Sequence, residues 1–283
     1  MSGQRDDRGA GDNIGKLVHP DQAGFIPKRS IFDHIRLANA IINYTEVAEE
    51  NGAILALDQE KAYNKINHKY LWATLKAFNL PDFFINTVKA LYQNVETKVA
   101  INGFMSKPYK IKRGIHQGDP LSCLLFDLGI EPLACMIRND PNLKGFTVPG
   151  VDEPIKVNFF ADDTILFLSK DDSFDYAQAT LNDWCQASGM MFNIEKTEVI
   201  PIGTREHRSR ITTMRKINPN DQEPLCNQIR IAEDREAVRS LGAWISNNTN
   251  DSAPWEAILD RIKSNLEKWG RLRPTMMGRK TVI

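Results

Sequence analysis

Apolar residues alternate with polar ones between Ile155 and Leu168, and this alternation predicts a β-hairpin. The two apolar arms meet at Ala161, Asp162 and Asp163, which we expect to fill the reversal because aspartate is common in turns. Adjacent carboxylates between apolar strands repel each other unless a cation lies between them. The pattern leaves two interpretations open, an ordinary turn or a site for a divalent metal such as Mg²⁺.

A second apolar run, residues 53–57, is short and continuous and follows the turn pair Asn51-Gly52. Such a run is typical of a buried strand, and it ends at Asp58. Asp58 could cap the helix that follows, bind a metal, or do both. If Asp58, Asp162 and Asp163 all bind metal, the fold must bring them together in one open cleft.

Apolar residues at helical spacing predict helices around these strands, at about residues 31–50, 60–78, 81–92, from Pro120 onward, and 174–188. Two more hairpins are expected, one turning at Asn102-Gly103 and one within residues 239–245. An amphipathic stripe runs from Trp255 to Trp269, and we expect its apolar side to face the protein. Residues 1–16 and 203–230 lack apolar periodicity, so we expect the first segment to be disordered and the second to be solvated or partly disordered.

The amino-acid composition excludes few classes of protein. The chain has 36 Lys+Arg, 36 Asp+Glu and no net charge, so the total charge does not indicate a nucleic-acid partner. The segment 261–283 is locally basic, with Glu267 as its acidic residue, and its basic side is either a solvated face or a phosphate contact. Four cysteines lack the spacing of a zinc site, and we expect free thiols. No stretch is long and apolar enough to span a membrane, and there is no secretory signal, so we expect an intracellular protein of the nucleus or cytoplasm.

Six motifs occur in a fixed order along the chain: Asp21-Gln-Ala-Gly-Phe25, Leu57-Asp-Gln-Glu-Lys-Ala-Tyr63, Arg113-Gly-Ile-His-Gln-Gly-Asp-Pro-Leu-Ser122, Phe160-Ala-Asp-Asp163, Asn193-Ile-Glu-Lys-Thr197 and Leu241-Gly242. Together they resemble the reverse transcriptases of non-LTR (LINE-type) retrotransposons, particularly the fungal kind. The resemblance covers nearly all of residues 17–283.

This resemblance implies an α+β fold, a polymerase palm whose antiparallel sheet is backed by helices, with partial fingers and a partial thumb. After the disordered segment 1–16, residues 17–202 would be partial fingers and palm. Residues 203–283 would then hold a connection, the primer-contacting hairpin and the start of the thumb.

The activity that the resemblance implies is RNA-directed DNA polymerisation. A nucleotide would pass from a deoxyribonucleoside triphosphate to the 3′ hydroxyl of a DNA primer, with RNA as template. Two Mg²⁺ ions, about 4 Å apart, would be held by Asp58, Asp162 and Asp163. Lys196 would donate a proton to the pyrophosphate, although it is equally compatible with a plain surface charge.

The same resemblance assigns roles in binding. Tyr63 would exclude a 2′ hydroxyl from the incoming nucleotide, and Gln117 and Gly118 would touch that nucleotide. Arg271 and Arg273 would contact nucleic acid. For each of these residues a structural role, in the core, in a turn or on a solvated face, is the alternative.

Two positions depart from the family pattern: Asn64 stands where a second aspartate is usual, and His116 where arginine is frequent. Neither is an expected metal ligand. A catalytically inactive, nucleic-acid-binding relative is therefore the alternative function, and a different two-metal phosphotransfer enzyme is a third. Because 21 residues precede Gln22 and the thumb pattern stops at Ile283, we expect this chain alone to polymerise weakly or not at all.

Overall fold

The computed structural model describes residues 14–240, 243–245, 247 and 259–267. Its centre is a five-stranded sheet, whose strands from one edge to the other are β6 (Val157–Phe160), β7 (Asp163–Ser169), β1 (Gly52–Gln59), β8 (Phe192–Ile202) and β9 (Arg230–Ile231). The pairs β6–β7, β7–β1 and β1–β8 are antiparallel, and β8–β9 is parallel. The α+β fold with an antiparallel-dominated sheet is confirmed.

Between residues 31 and 214 the chain forms seven helices: α1 (Ile31–Val47), α2 (Ala62–Lys65), α3 (His68–Ala77), α4 (Asp82–Tyr92), α5 (Pro120–Asn139), α6 (Phe174–Ser188) and α7 (Arg205–Met214). Successive side chains of a strand point to opposite faces, so β1 contributes to two cores. Leu55 packs in the core that includes residues of α3 to α6, whereas Ile54 packs with Ile41 of α1 and Phe167 of β7. β1 is therefore covered on both faces, as its continuous apolar run predicts.

The predicted hairpins are also present. Strand β3 (Ala100–Ile101) pairs with β4 (Phe104–Met105), and β2 (Glu96–Thr97) pairs with β5 (Tyr109–Lys110). Asn102 and Gly103 turn this hairpin with φ of 48° and 84°, the left-handed pair that a tight two-residue turn requires. Strand β10 (Val238–Ser240) pairs with β11 (Ala243–Ile245). The connecting residues 241–242 lie outside the described part of the chain.

The single helix expected over residues 60–78 is wrong. The chain forms α2, leaves helical geometry at Ile66 and begins α3 only after Asn67. Tertiary pairing explains the break: the Ile66 carbonyl accepts from Gly114 N (2.8 Å), and Asn67 N donates to Ser188 O (2.7 Å). These bonds to other segments replace helical bonds, and the Asn67 side chain then caps α3.

The prediction that residues 203–230 form a solvated or partly disordered connection is wrong for residues 205–214, whereas residues 216–229 form no helix or strand and are mostly exposed. Residues 205–214 form α7, in which Arg208 is buried and pairs with Asp234 through two nitrogens (2.7 and 2.9 Å). After α7, Arg215 donates to the carbonyl oxygens of Leu225 and Cys226. Buried or anchored arginines replace apolar residues here, so the segment has no apolar period although it is packed.

The two ends of the described chain differ from expectation in opposite ways. Residues 14–17 form a helical turn with Ile14 buried, so the disorder expected up to residue 16 is wrong for residues 14–16, while residues 1–13 lie outside the description. Residues 259–267 are helical, but Leu259, Ile262 and Leu266 are exposed, contrary to the expectation that this stripe faces the protein. Within the described ranges, no helix is long and apolar enough to cross a membrane. The four cysteines are free thiols, as expected.

Candidate metal and nucleotide site

The carboxylates of Asp58, Asp162 and Asp163 lie at one end of the central sheet. Leu57 of β1 is opposite Thr164 of β7, so the next residue of β1, Asp58, comes beside the start of β7. Phe160 pairs with Asp163, which leaves Ala161 and Asp162 as the two turn residues. The expected three-residue reversal is therefore one residue too long: Asp163 belongs to β7 because its backbone completes the pairing.

Charge links these three side chains. Burial raises the pKa of the Asp162 carboxyl, and the Asp58 charge raises it further. The pKa of Asp163 is raised by burial first, then by the charges of Asp162 and Asp58. The ionised forms destabilise one another, as carboxylates do when they share a site without a cation. This end of the sheet is thus suited to a positive charge.

Lys196 of β8 provides one positive charge at this site. Its ammonium nitrogen lies 3.2 Å from Asp58 Oδ2, and both side chains are partly exposed. Asp58, Asp163 and Lys196 line an open cleft together with Glu195 and Arg239. Asp162 is not one of the cleft's lining residues, so the structure brings the three carboxylates to one end of the sheet but opens the cleft beside two of them.

A ready-made metal cage is not present in the part of the chain that the structure describes, where no three His, Cys, Asp or Glu side chains are arranged to hold an ion. Mg²⁺ rarely uses such a cage. It is usually held by one or two carboxylates plus substrate phosphates. The donor set of Asp58 and Asp162, two hard oxygen ligands with mutual repulsion, fits that mode of binding.

Tyr63 lies between this site and the core. Its ring stacks on Phe126 of α5, with centroids 4.9 Å apart and planes 11° apart. Burial raises the pKa of its hydroxyl, and the Cys123, Asp127 and Asp162 charges act in the same direction. The stacked ring fits the structural alternative, in which Tyr63 is a residue of the core.

The loop 113–118 packs directly on the segment that carries Tyr63. Ile115 N donates to the Tyr63 carbonyl oxygen (2.7 Å), and Gly114 has a φ of 86°. A β-carbon at Gly114 would lie 2.9 Å from the same carbonyl oxygen, so this close approach requires glycine. Gln117 and Gly118 are exposed beyond this contact. The structure therefore holds the predicted nucleotide loop beside Tyr63 and leaves its tip open to solvent.

Sequence reasoning missed Gln22. Its side chain is 1% exposed and bonds both the N–H and the carbonyl of Ala161, next to Asp162. The similarity of residues 21–25 to a family motif indicated this region, but it did not predict the contact between Gln22 and Ala161. Arg271, Arg273 and the pair Leu241-Gly242 lie outside the described residues.

Acidic residues at the ends of neighbouring antiparallel strands, with helices packed against the sheet, define the palm of a nucleic-acid polymerase. Residues 10–245 match the family model described as reverse transcriptase (RNA-dependent DNA polymerase). This chain belongs to that family. The match confirms the resemblance that the six motifs carry.

Among curated proteins, the chain is 30% identical over 244 residues to the transposon TX1 uncharacterized 149 kDa protein of Xenopus laevis, covering 82% of this chain and 18% of that protein. It is 27% identical over 183 residues to the retrovirus-related Pol polyprotein from the type-2 retrotransposable element R2DM of Drosophila melanogaster, covering 65% and 17%. The chain thus spans less than a fifth of these two relatives. Among solved structures, telomerase from Candida albicans in complex with a TWJ fragment of telomeric RNA is similar over 79% of this chain and 34% of that one, with 13% identity and a TM-score of 0.48.

Proposed function

We propose that this chain is the RNA-directed DNA polymerase domain of a non-LTR retrotransposon protein. It would extend the 3′ hydroxyl of a DNA primer with deoxyribonucleoside triphosphates, using an RNA template. The observation that carries the proposal is the placement of Asp58, Asp162 and Asp163 at one end of the central sheet, where Leu57 pairs with Thr164 and Phe160 with Asp163, in a chain of the reverse transcriptase family.

Two Mg²⁺ ions would be held by Asp58 and Asp162, with Asp163 as the third candidate ligand. When bound, the ions stabilise the attacking and leaving oxygens of the phosphoryl transfer as Lewis acids. Burial, and to a lesser extent the Asp58 charge, raises the pKa of Asp162, and a nearby cation would stabilise the charged form that both effects disfavour. The other contributions of the chain are positioning and charge neutralisation.

Lys196 would act on the leaving group. Its ammonium group is held at the cleft by Asp58 at 3.2 Å, within reach of a phosphate bound beside that carboxylate. From there it could donate a proton to the departing pyrophosphate oxygen. This role is supported by its place in the lining of the cleft, beside Asp58.

Tyr63, Gln117 and Gly118 would bind the incoming nucleotide. The Tyr63 side chain is partly exposed and its ring is fixed by Phe126, so a sugar placed against its exposed part would meet a rigid surface. Gln117 and Gly118 are exposed on a loop that is anchored to the Tyr63 backbone, which leaves them free to contact a base or a phosphate. Rigid support behind exposed contact groups favours a preset binding geometry.

The proposal is tested by incorporation of a single nucleotide on an RNA template with a DNA primer, with protein in excess and Mg²⁺ present. We expect incorporation by the wild-type chain and a loss in Asp162→Asn larger than the roughly 10–100-fold typical of a residue that only orients a ligand. Asp171→Asn is the matched control, because Asp171 is an exposed aspartate near the other end of β7. Because this chain alone is expected to polymerise weakly or not at all, the assay is repeated on a chain extended with the flanking segments of an intact relative. Binding of primer and template without incorporation by either chain would support the alternative, an inactive nucleic-acid-binding relative.

A further inference from the structure

The turn that carries Asp162 is under strain. Ala161 has a φ of 55°, in the left-handed region where a β-carbon is unfavourable. An alanine remains there only if its surroundings hold it in place. The hairpin itself does not provide that support, because its outer strand β6 is the edge of the sheet and has β7 as its one strand neighbour.

Support comes from residues 21–24, which we call the clamp. Gln22 Oε1 accepts hydrogen bonds from Ala161 N (3.0 Å) and Gly24 N (2.7 Å), and Gln22 Nε2 donates to the Ala161 carbonyl oxygen (3.4 Å). Gly24 fits against the turn so closely that a β-carbon would lie 2.3 Å from Ala161 N. The clamp therefore satisfies both backbone groups of the strained residue and closes over it.

The clamp is itself fixed at two places. It pairs with the free edge of β6, where Ala23 N donates to Phe159 O (2.9 Å) and Phe159 N donates to Asp21 O (2.7 Å). From the other side, the Arg29 guanidinium donates to four backbone carbonyl oxygens at distances of 2.6 to 2.9 Å, belonging to Gly15, Val18, His19 and Gln22. A loop tied down in this way can transmit a fixed position to the turn.

We infer that the clamp sets the position of the Asp162 carboxylate relative to Asp58, with Gln22 as the positioning residue for the metal-binding pair. The inference rests on the proposed function, because it takes both carboxylates to be metal ligands. Ligand oxygens must be held within about 0.5 Å for productive binding. Asp162 follows the strained residue directly, so a relaxed Ala161 would move its carboxylate away from Asp58.

The test is the affinity of the purified chain for Mn²⁺, measured by electron paramagnetic resonance of the free ion. Gln22→Ala removes the bonds to Ala161. Gly24→Ala removes no polar group but places a methyl group against Ala161 N. We expect both variants to bind Mn²⁺ about 10–100-fold more weakly, the usual effect of losing a group that orients a metal ligand. Gln22→Glu keeps the acceptor oxygen for Ala161 N but loses the donor to the Ala161 carbonyl oxygen, so it should restore binding only in part.

Matched controls separate positioning from general damage. Asp172 is a buried side chain at the other end of β7 and accepts from the N–H groups of Lys144, Gly145 and Ser169 at 2.6 to 2.9 Å. Asp172→Ala should lower stability without weakening Mn²⁺ binding. Gly15→Ala is the control for the added methyl group, because its nearest neighbours would lie at 3.7 Å. Amide hydrogen exchange at Asp163 and Thr164 should rise in the two clamp variants and stay unchanged in Gly15→Ala. In Asp172→Ala it should rise by no more than the loss of global stability accounts for.

Two results would overturn the inference, and they differ from each other. Wild-type affinity in folded Gln22→Ala and Gly24→Ala, together with a loss in Asp162→Asn, would remove the clamp's role and leave the metal site intact. If Asp162→Asn binds Mn²⁺ as the wild type does, the proposed metal role of this carboxylate fails, and the clamp's role fails with it.

Discussion

Asp127 of α5 is a buried acid that the proposed chemistry does not use. It is 0% exposed, and neither carboxylate oxygen has a hydrogen-bond partner among the residues that the structure describes. Its pKa is raised to about 8, chiefly by burial. The Arg29 charge lowers this pKa and the Glu131 charge raises it, each by less than burial does. At neutral pH the folded chain therefore holds a proton on Asp127 that the unfolded chain releases.

This proton makes stability depend on pH. In the unfolded chain the pKa of this carboxyl is about 3.9, so between about pH 4 and 8 the folded state binds more protons than the unfolded state. The free energy of unfolding therefore falls as the pH rises through this window, by up to about 1.4 kcal/mol per pH unit. Asp127→Asn cannot ionise and should escape this loss. Urea unfolding at several pH values gives the free energy of unfolding of both proteins. The value for Asp127→Asn minus that for the wild type should increase by a few kcal/mol in all between about pH 4 and pH 8. Asp171→Asn, at an exposed position, should show no such trend, and parallel curves for Asp127→Asn and wild type would contradict the account.

Tyr63 offers a second prediction, on sugar selectivity. A rigid ring discriminates by a steric clash with the 2′ hydroxyl. Removing the ring should therefore increase incorporation of the ribonucleotide more than it decreases incorporation of the deoxyribonucleotide. Tyr63→Ala should raise the ratio of ribonucleotide to deoxyribonucleotide incorporation in single-nucleotide assays. Tyr176→Ala removes an exposed tyrosine of α6 and serves as the control. An unchanged ratio in Tyr63→Ala would leave Tyr63 as a core residue stacked on Phe126.

The acidic residues could be predicted, whereas their support could not. Asp58 comes at the end of the apolar run of β1 and Asp162 comes just after β6, and the ends of apolar runs are visible in the hydrophobic pattern. Gln22 contacts Ala161 across 139 positions through backbone atoms, which have no side-chain signature. The buried state of Asp127 is hidden for a similar reason, since a charged residue on a helix is normally expected at the surface.

At the scale of elements, the contact between loop 113–118 and α2 can be tested with two glycines. Gly114 and Gly118 both have positive φ, so an alanine at either position costs roughly 1–2 kcal/mol. Only at Gly114 would the new β-carbon clash, at 2.8 to 2.9 Å from backbone atoms of Tyr63 and Asn64, whereas nothing lies within 4 Å at Gly118. Chemical denaturation should show Gly114→Ala to be less stable than Gly118→Ala by about 1–3 kcal/mol. Equal losses would mean that the loop does not pack on α2 as described.

Elements with an apolar face were predictable, and those held by polar contacts were not. Helix α6 ends at Gly189 with a φ of 76°, as its pattern indicates, and Leu181 and Trp184 are buried on it. Helix α7 was missed because its buried face uses Arg208, whose partner Asp234 lies on a later loop. The break between α2 and α3 was missed because backbone bonds to distant segments cause it. Local sequence does not encode such bonds.

At the scale of the whole molecule, charge is balanced overall but uneven along the chain. Residues 261–283 carry seven Lys and Arg against one acidic residue, Glu267. If this segment contacts the phosphates of primer and template, Arg271→Ala with Arg273→Ala should reduce the slope of log affinity against log salt by up to about 2. Arg36→Ala with Lys144→Ala, at two exposed positions, is the control and should keep the wild-type slope. An equal slope in both double variants would indicate a solvated face at residues 261–283.

The central claim is that the Asp58 and Asp162 carboxylates hold a divalent cation for nucleotide transfer. Crystals of the chain with Mn²⁺, an RNA–DNA template–primer and a non-hydrolysable deoxyribonucleoside triphosphate would show the ion directly by its anomalous scattering. The account predicts a manganese peak about 2.0–2.3 Å from oxygens of both Asp58 and Asp162, with triphosphate oxygens completing the shell. A nucleotide bound beside Tyr63 with no manganese peak at these carboxylates, or with the peak held by other residues, would contradict it.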